Sequence, residues 1–154
     1  MNETEKAYIA GFLDGDGSIM AIIEPHKECR FGYRIRVMLK FAQHETSANI
    51  LSYIMSLLGA GHVGKSTKQV RECVIRDQKQ IEQILSSLLP YVKLKNQQVR
   101  LALQLIEKLR HINKKADFLE SAKMADKIAN LNLRSRSRRK NTSETIHLRY
   151  PRND

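Results

Sequence analysis

Two cysteines, Cys29 and Cys73, stand 44 positions apart with no CxxC and no nearby histidine pair. That excludes a disulfide framework and a zinc site and fits a reducing compartment. The longest apolar runs, such as Ile19-Met20-Ala21-Ile22-Ile23, fall far below the ~20 residues a membrane helix requires, so no membrane partner is expected. His26, His44, His62, His111 and His147 are dispersed, which removes the residues an HNH nuclease or a zinc-finger reader would need. Met1-Asn2-Glu3-Thr4-Glu5-Lys6 carries acids where a signal or transit peptide is basic, so a protein working in an organelle is expected to be made there. Acidic residues are the scarce charge: sixteen against twenty-seven Lys and Arg give +11 and a pI near 9.9, which favours a polyanion, nucleic acid first.

The cationic excess has two parts. Residues 134–154 hold seven basic and two acidic residues, a balance of +5, and the other 133 hold twenty and fourteen, a balance of +6. The body is therefore basic in its own right. At 154 residues, with 42% hydrophobic and 28% charged residues, the chain reads as one globular domain over 1–133 and a basic segment over 134–154.

Periodicity predicts a helix from Glu3 to Asp14, with Asn2 or Thr4 as N-cap and Gly15 ending it. Ala7, Ala10, Gly11 and Asp14 fall at i, i+3, i+4 and i+7, a stripe of small side chains that lets another backbone come close. Ser18 to Ile23 is β-like, Pro25 interrupts, and Arg34 to Gln43 alternates Arg34, Arg36, Met38, Lys40 against Ile35, Val37, Leu39, Phe41. A helix over about 46–58, strands at His62–Ser66 and Val70–Arg76 joined by Thr67-Lys68-Gln69, and a helix at Gln78–Leu89 complete an αββαββα order. Two further helices are predicted, near Asn96–Leu109 and Asp117–Leu131. The body contains no second copy of the first helix motif, so it reads as one unit and not as two fused repeats.

Ile9-Ala10-Gly11-Phe12-Leu13-Asp14-Gly15-Asp16-Gly17 resembles the LAGLIDADG motif of homing endonucleases, with Ala10, Gly11, Asp14, Asp16 and Gly17 identical. The element order, Phe41-Ala42-Gln43, Pro90 to Gln97 and Asn141-Thr142-Ser143-Glu144-Thr145 are similar to single-motif members, so the resemblance covers most of the chain. It implies an α+β fold with a four-stranded antiparallel saddle sheet and helices on one face. It also implies a homodimer that pairs the motif helices on a two-fold axis through Ala7, Ala10, Gly11 and Asp14.

A carboxylate and carbonyls at a helix C-terminus form a hard oxygen site suited to Mg²⁺, with Mn²⁺ or Ca²⁺ able to replace it in binding. By the resemblance, Asp16 ligates metal, the Gly15 carbonyl helps, and Gln43 and Lys95 order the attacking water and scissile phosphate; Asp14 itself reads as structural. The pattern departs at Ser47, where relatives carry a basic residue four positions after the glutamine, so the basic partner is expected from elsewhere. The implied activity is Mg²⁺-dependent intron-homing cleavage of double-stranded DNA that leaves 3′ overhangs, with no small-molecule cofactor. The implied location is an organelle, chloroplast ahead of mitochondrion.

A β-ribbon fits the major groove, and a ten-residue strand spans ~34 Å, so two subunits would cover roughly 20 base pairs of an approximate palindrome. Expected DNA contacts are Ile22, Glu24, Arg34, Arg36, Met38, Lys40, Ser66, Glu72 and Arg76 on strands and Arg30 and Lys68 in turns; Arg71 replaces Glu72 if the fourth strand slips by one. Arg34, Arg36 and Lys40 read as cations with no acidic partner on their face, and Arg138 and Lys140 as a backbone clamp. The alternative is a non-cleaving relative of the same fold, an RNA maturase or a DNA-binding regulator. A basic ribosomal component explains the charge but not the small-faced helix.

Overall fold

The computed structural model describes residues 1–64, 67–132 and 139–148. The order is α1 (Glu3–Asp16), β1 (Gly17–Pro25), β2 (Tyr33–His44), a 3-10 turn at Glu45–Ser47, α2 (Asn49–Leu58), β3 (His62–Val63), β4 (Val70–Ile75), α3 (Gln78–Leu88), α4 (Asn96–Leu109) and α5 (Lys115–Leu131). The expected αββαββα body and its two trailing helices are present.

α1 starts where Asn2 closes a capping box: its side chain accepts from the Glu5 amide at 2.9 Å while the Glu5 carboxylate accepts from the Asn2 amide at 2.7 Å. It ends later than predicted. Gly15 and Asp16 are helical, and Gly17 carries the chain into β1. A Cβ at Gly17 would lie 2.8 Å from the Leu13 Cα and 2.9 Å from its carbonyl oxygen, so only glycine makes so abrupt a helix-to-strand change.

The sheet order is β1-β2-β4-β3, all antiparallel. Ile19, Ala21, Ile23, Ile35, Val37, Leu39, Phe41, Cys73 and Ile75 are buried on one face, because a period of two sends them all to the same side. That face is covered by Leu13 of α1, Ile54 of α2, Leu85 of α3, Leu105 of α4 and Ile128 of α5, with their buried neighbours. The outer face is left open.

Two devices finish the sheet. Where β4 gives out, the Gln78 amide takes its place beside β2, accepting from Val37 N–H at 2.9 Å and donating to the Val37 carbonyl at 2.8 Å. Along the edge strand β1, the Asn132 and Asn141 amides donate to the carbonyls of Ile19 at 2.7 Å and Ile23 at 3.1 Å, which blunts the open edge. Residues 139–148 thus lie against the body: Ile146 is buried, and Asp126 accepts from Arg139 at 2.5 Å and from the Ser143 amide at 2.8 Å.

Candidate metal centre and nucleic-acid interface

α1 ends with Asp14 and Asp16 in its last turn and no basic residue there. A helix C-terminus carries about half a negative charge, so two acids at that end are unfavourable unless cations answer them. Lys95 answers part. Its ammonium donates to the carbonyls of Leu13 at 2.8 Å and Asp14 at 2.6 Å, and burial pushes it below its ordinary 10.5 against the opposing pull of Asp14 and Asp16.

Asp14 does not face outward with the small residues, as the sequence suggested. Its carboxylate accepts the amides of Lys93 at 2.8 Å, Leu94 at 3.1 Å and Lys95 at 2.9 Å. Burial raises this carboxyl, but those three bonds and the Lys95 charge outweigh it and hold it below its ordinary 3.8. A depressed carboxyl contributes stability that is complete above about pH 5 and lost as pH falls through the lowered value. Asp14→Ala is expected to cost about 1–3 kcal/mol at neutral pH and to flatten the acid limb of the stability curve; urea melts between pH 2 and 7 measure both. An unchanged acid limb would contradict the clamp.

Asp16 is exposed, and the Gln43 amide at the end of β2 donates to its Oδ2 at 3.3 Å. The structure therefore gathers Gly15, Asp16, Gln43 and Lys95 at one end of α1, as the resemblance implied. Ser47 lies exposed in the 3-10 turn.

The small-residue stripe needs correcting. Ala10 is fully buried beside Ile9 and Leu13 in the chain's own core, because the arc that faces the sheet includes it. The exposed arc holds Thr4, Ala7, Tyr8, Gly11 and Gly15, and a Cβ at Gly11 or Gly15 would meet nothing within 4 Å. Nothing inside the chain requires those glycines, although each costs a helix about 1 kcal/mol against alanine. Sequence reasoning missed the apolar rim beside them. Tyr8 and Tyr53 are exposed and meet edge to face with centroids 6.3 Å apart, and Leu94, on the loop that Asp14 grips, is 75% exposed. Leu94 between Lys93 and Lys95 was the legible signal: an apolar residue in a loop, inside no element's period.

On the outer face of the sheet stand Ile22, Glu24, Arg34, Arg36, Met38, Lys40 and Glu72, with Arg76 just beyond β4. Met38, opposite Met20, is buried there and lies outside the core cluster. The register of β4 settles in favour of Glu72: Cys73 and Ile75 are buried, and Arg71 points to the other face, 3.6 Å from Glu45.

The expectation of unpartnered cations is overturned. Glu24 of β1 pairs with Arg34 at 2.6 Å and Arg36 at 3.2 Å, and Glu72 of β4 pairs with Lys40 at 2.8 Å. The partners come from flanking strands, which the alternation within β2 cannot reveal. Burial raises Glu24, but its bond from Arg34 and the charges of Arg36, Arg34 and His26 hold it below its ordinary 4.5. Arg30 donates to the Asn113 carbonyl at 2.8 Å, and Lys68 sits at the exposed tip between β3 and β4 with φ of 51°. Lys140, exposed, lines a cleft of about 320 Å³ at the β1 edge with Met20, Ile22 and Asn141; Ser66 and Arg138 lie outside the described residues.

Residues 9–104 match the family model described as LAGLIDADG endonuclease. The chain belongs to the LAGLIDADG endonuclease family. It is 34% identical over 140 residues to DNA endonuclease I-CreI of Chlamydomonas reinhardtii, covering 90% of this chain and 84% of that relative. It is 36% identical over 122 residues to DNA endonuclease I-CvuI of Chlorella vulgaris, covering 79% and 76%. The crystal structure of I-CvuI with the I-CreI target in 2 mM Mg, the DNA not cleaved, superposes with a TM-score of 0.86 at 33% identity over 93% of this chain and 90% of that one. I-CvuI with its own target in 2 mM Ca superposes at 0.84 with 33% identity, covering 93% and 92%. The family's α+β fold, with its four-stranded antiparallel sheet under helices, is the one observed.

Proposed function

We propose that two copies of this chain form a site-specific, divalent-metal-dependent DNA endonuclease of the intron-homing kind. It cuts both strands of a pseudo-palindrome of roughly 20 base pairs and leaves 3′ overhangs. The observation that carries the reading is the exposed Asp16 carboxylate, held by the Gln43 amide, at the end of a helix whose outward arc bears Gly11 and Gly15 with open space above them. Among the described residues no group of three His, Cys, Asp or Glu could hold a metal ion. Each chain supplies one Asp16, and in the proposed dimer close packing of two α1 helices brings the second beside the first.

The donors fit a hard cation. Asp16 supplies an anionic oxygen and Gly15 a carbonyl, with neither sulfur nor imidazole near, which suits Mg²⁺, Mn²⁺ or Ca²⁺. When bound, such an ion supplies Lewis acidity toward the phosphodiester and its attacking water. Gln43 then orients the Asp16 carboxylate and a neighbouring water through its amide, and Lys95 offsets the negative end of α1. Hydrolysis adds water across the bond between phosphorus and the 3′ oxygen, leaving a 3′-hydroxyl and a 5′-phosphate. The outer sheet face supplies the contacts to bases. The relatives from Chlamydomonas and Chlorella support an organellar origin.

The test is selection from a randomised duplex library with purified protein and Mg²⁺. A cleaved, two-fold symmetric site with staggered ends, lost on chelation, is the expected result. A selected site that is bound and never cut would assign the chain to the non-cleaving relatives.

A further inference from the structure

Arg34 and Arg36 share one carboxylate, and they share it unequally. Arg34 donates to a single Glu24 oxygen from Nε at 2.9 Å and from Nη2 at 2.6 Å, whereas Arg36 reaches the other oxygen only from Nη2, at 3.2 Å. The register explains the asymmetry. Glu24 lies directly opposite Arg34, while Ile22 lies opposite Arg36, so Glu24 meets Arg36 on the diagonal.

The Arg36 Nε–H is buried and has no partner. A buried donor left unpaired is costly, and an acceptor arriving on the open sheet face would relieve that cost as the guanidinium turns outward to meet it. One anion between two guanidiniums leaves a single net positive charge. The charge of one arginine is answered within the protein, and the other keeps donors to spare.

We infer that Glu24 is a positioning residue that sets specificity. It neutralises Arg34 and holds Arg36 so that the remaining donors of Arg36 read one guanine in each half-site. This rests on the reading of the sheet face as a DNA interface and deepens it: Glu24 contacts no base and acts through the two arginines. An arginine fixed on a strand presents its fork to guanine O6 and N7 with little entropy left to lose, and the carboxylate beside it discourages a chance phosphate. Without Glu24 both guanidiniums are free to take phosphates, which raises affinity for any sequence and blurs the choice.

The experiment uses Glu24→Gln, on the outer face and away from the core, beside wild type, Arg36→Ala and the double variant Glu24→Gln/Arg34→Ala. Binding in Ca²⁺ is measured to mixed-sequence DNA across a salt series and to a randomised duplex library. Glu24→Gln is expected to bind mixed-sequence DNA roughly three- to tenfold tighter, with a log–log salt slope steeper by about 0.9 for each phosphate gained. It should also lose, by roughly tenfold, the guanine preference that Arg36→Ala loses. The double variant should give up the share of that slope gain owed to Arg34, keep about 0.9 for the one phosphate that the released Arg36 takes, and stay blurred at that guanine, a pattern that a purely structural role for Glu24 does not produce. An unchanged slope with an unchanged preference would overturn the inference. So would loss of a base preference that Arg36→Ala retains, because Glu24 would then be reading that base itself. A wild-type protein that selects no site would sink the endonuclease reading, and the salt slope on mixed-sequence DNA would still judge Glu24.

Discussion

Asp16→Asn protein is expected to dimerise, bind the selected target and leave it intact. Asparagine keeps an oxygen for the Gln43 amide, so the geometry around the end of α1 should survive. What goes is the anionic donor. A divalent ion contributes several kcal/mol of transition-state stabilisation in phosphodiester hydrolysis, and at 1.36 kcal/mol per decade its loss is roughly 10³-fold or more in rate. Thermal stability should hold or rise, because removing an acid from a helix C-terminus relieves about 0.3–1 kcal/mol of unfavourable dipole interaction. Gel shift with Ca²⁺, plasmid cleavage with Mg²⁺ and a thermal melt together distinguish a lost ligand from a lost fold. Residual cutting within tenfold of wild type would remove Asp16 from the metal centre.

Gly11→Leu should break the assembly and spare the protomer. A Cβ at Gly11 meets nothing within 4 Å inside the chain, so the leucine has room, and leaving glycine in mid-helix gains up to about 1 kcal/mol. At a two-fold interface the same side chain enters twice. Overpacking of about 1–3 kcal/mol at each copy sums to about 2–6 kcal/mol, a dimer weakened roughly 30-fold to 3 × 10⁴-fold. Sedimentation velocity is expected to show monomer with an unreduced melting temperature and no cleavage. A dimer that still cuts would mean that this arc of α1 faces solvent and that the exposed Tyr8, Tyr53 and Leu94 serve another surface.

The two predictions depend on the sequence in different ways. Asp16, Gln43 and Lys95 were legible from their motifs, and the structure brings all three to the end of α1. Gly11 was legible as a small residue, but its neighbour in the stripe, Ala10, belongs to the core. Helical spacing alone places Ala7, Ala10, Gly11 and Asp14 on one side. Which part of that side turns inward depends on how Ile9 and Leu13 seat against the sheet, and this orientation is set by packing. Asp14 shows the same limit: its carboxylate is taken by amides 79 to 81 positions away, beyond the reach of any local pattern.

The sequence by itself determined the local elements: a capped N-terminal helix, an alternating strand with one oily face, amphipathic helices, a basic surplus and an acidic motif at a helix end. Hydrophobic periodicity, capping chemistry and net charge act over a few residues or over the whole composition, and both can be read without coordinates. Only the tertiary structure decided that Glu24 and Glu72 answer the β2 cations, that the Gln78 amide substitutes for a missing stretch of β4, and that Leu94 stands exposed. Each of these depends on the register between strands or on the closing of long loops, where pairing free energy and packing, and not neighbouring residues, choose the partner.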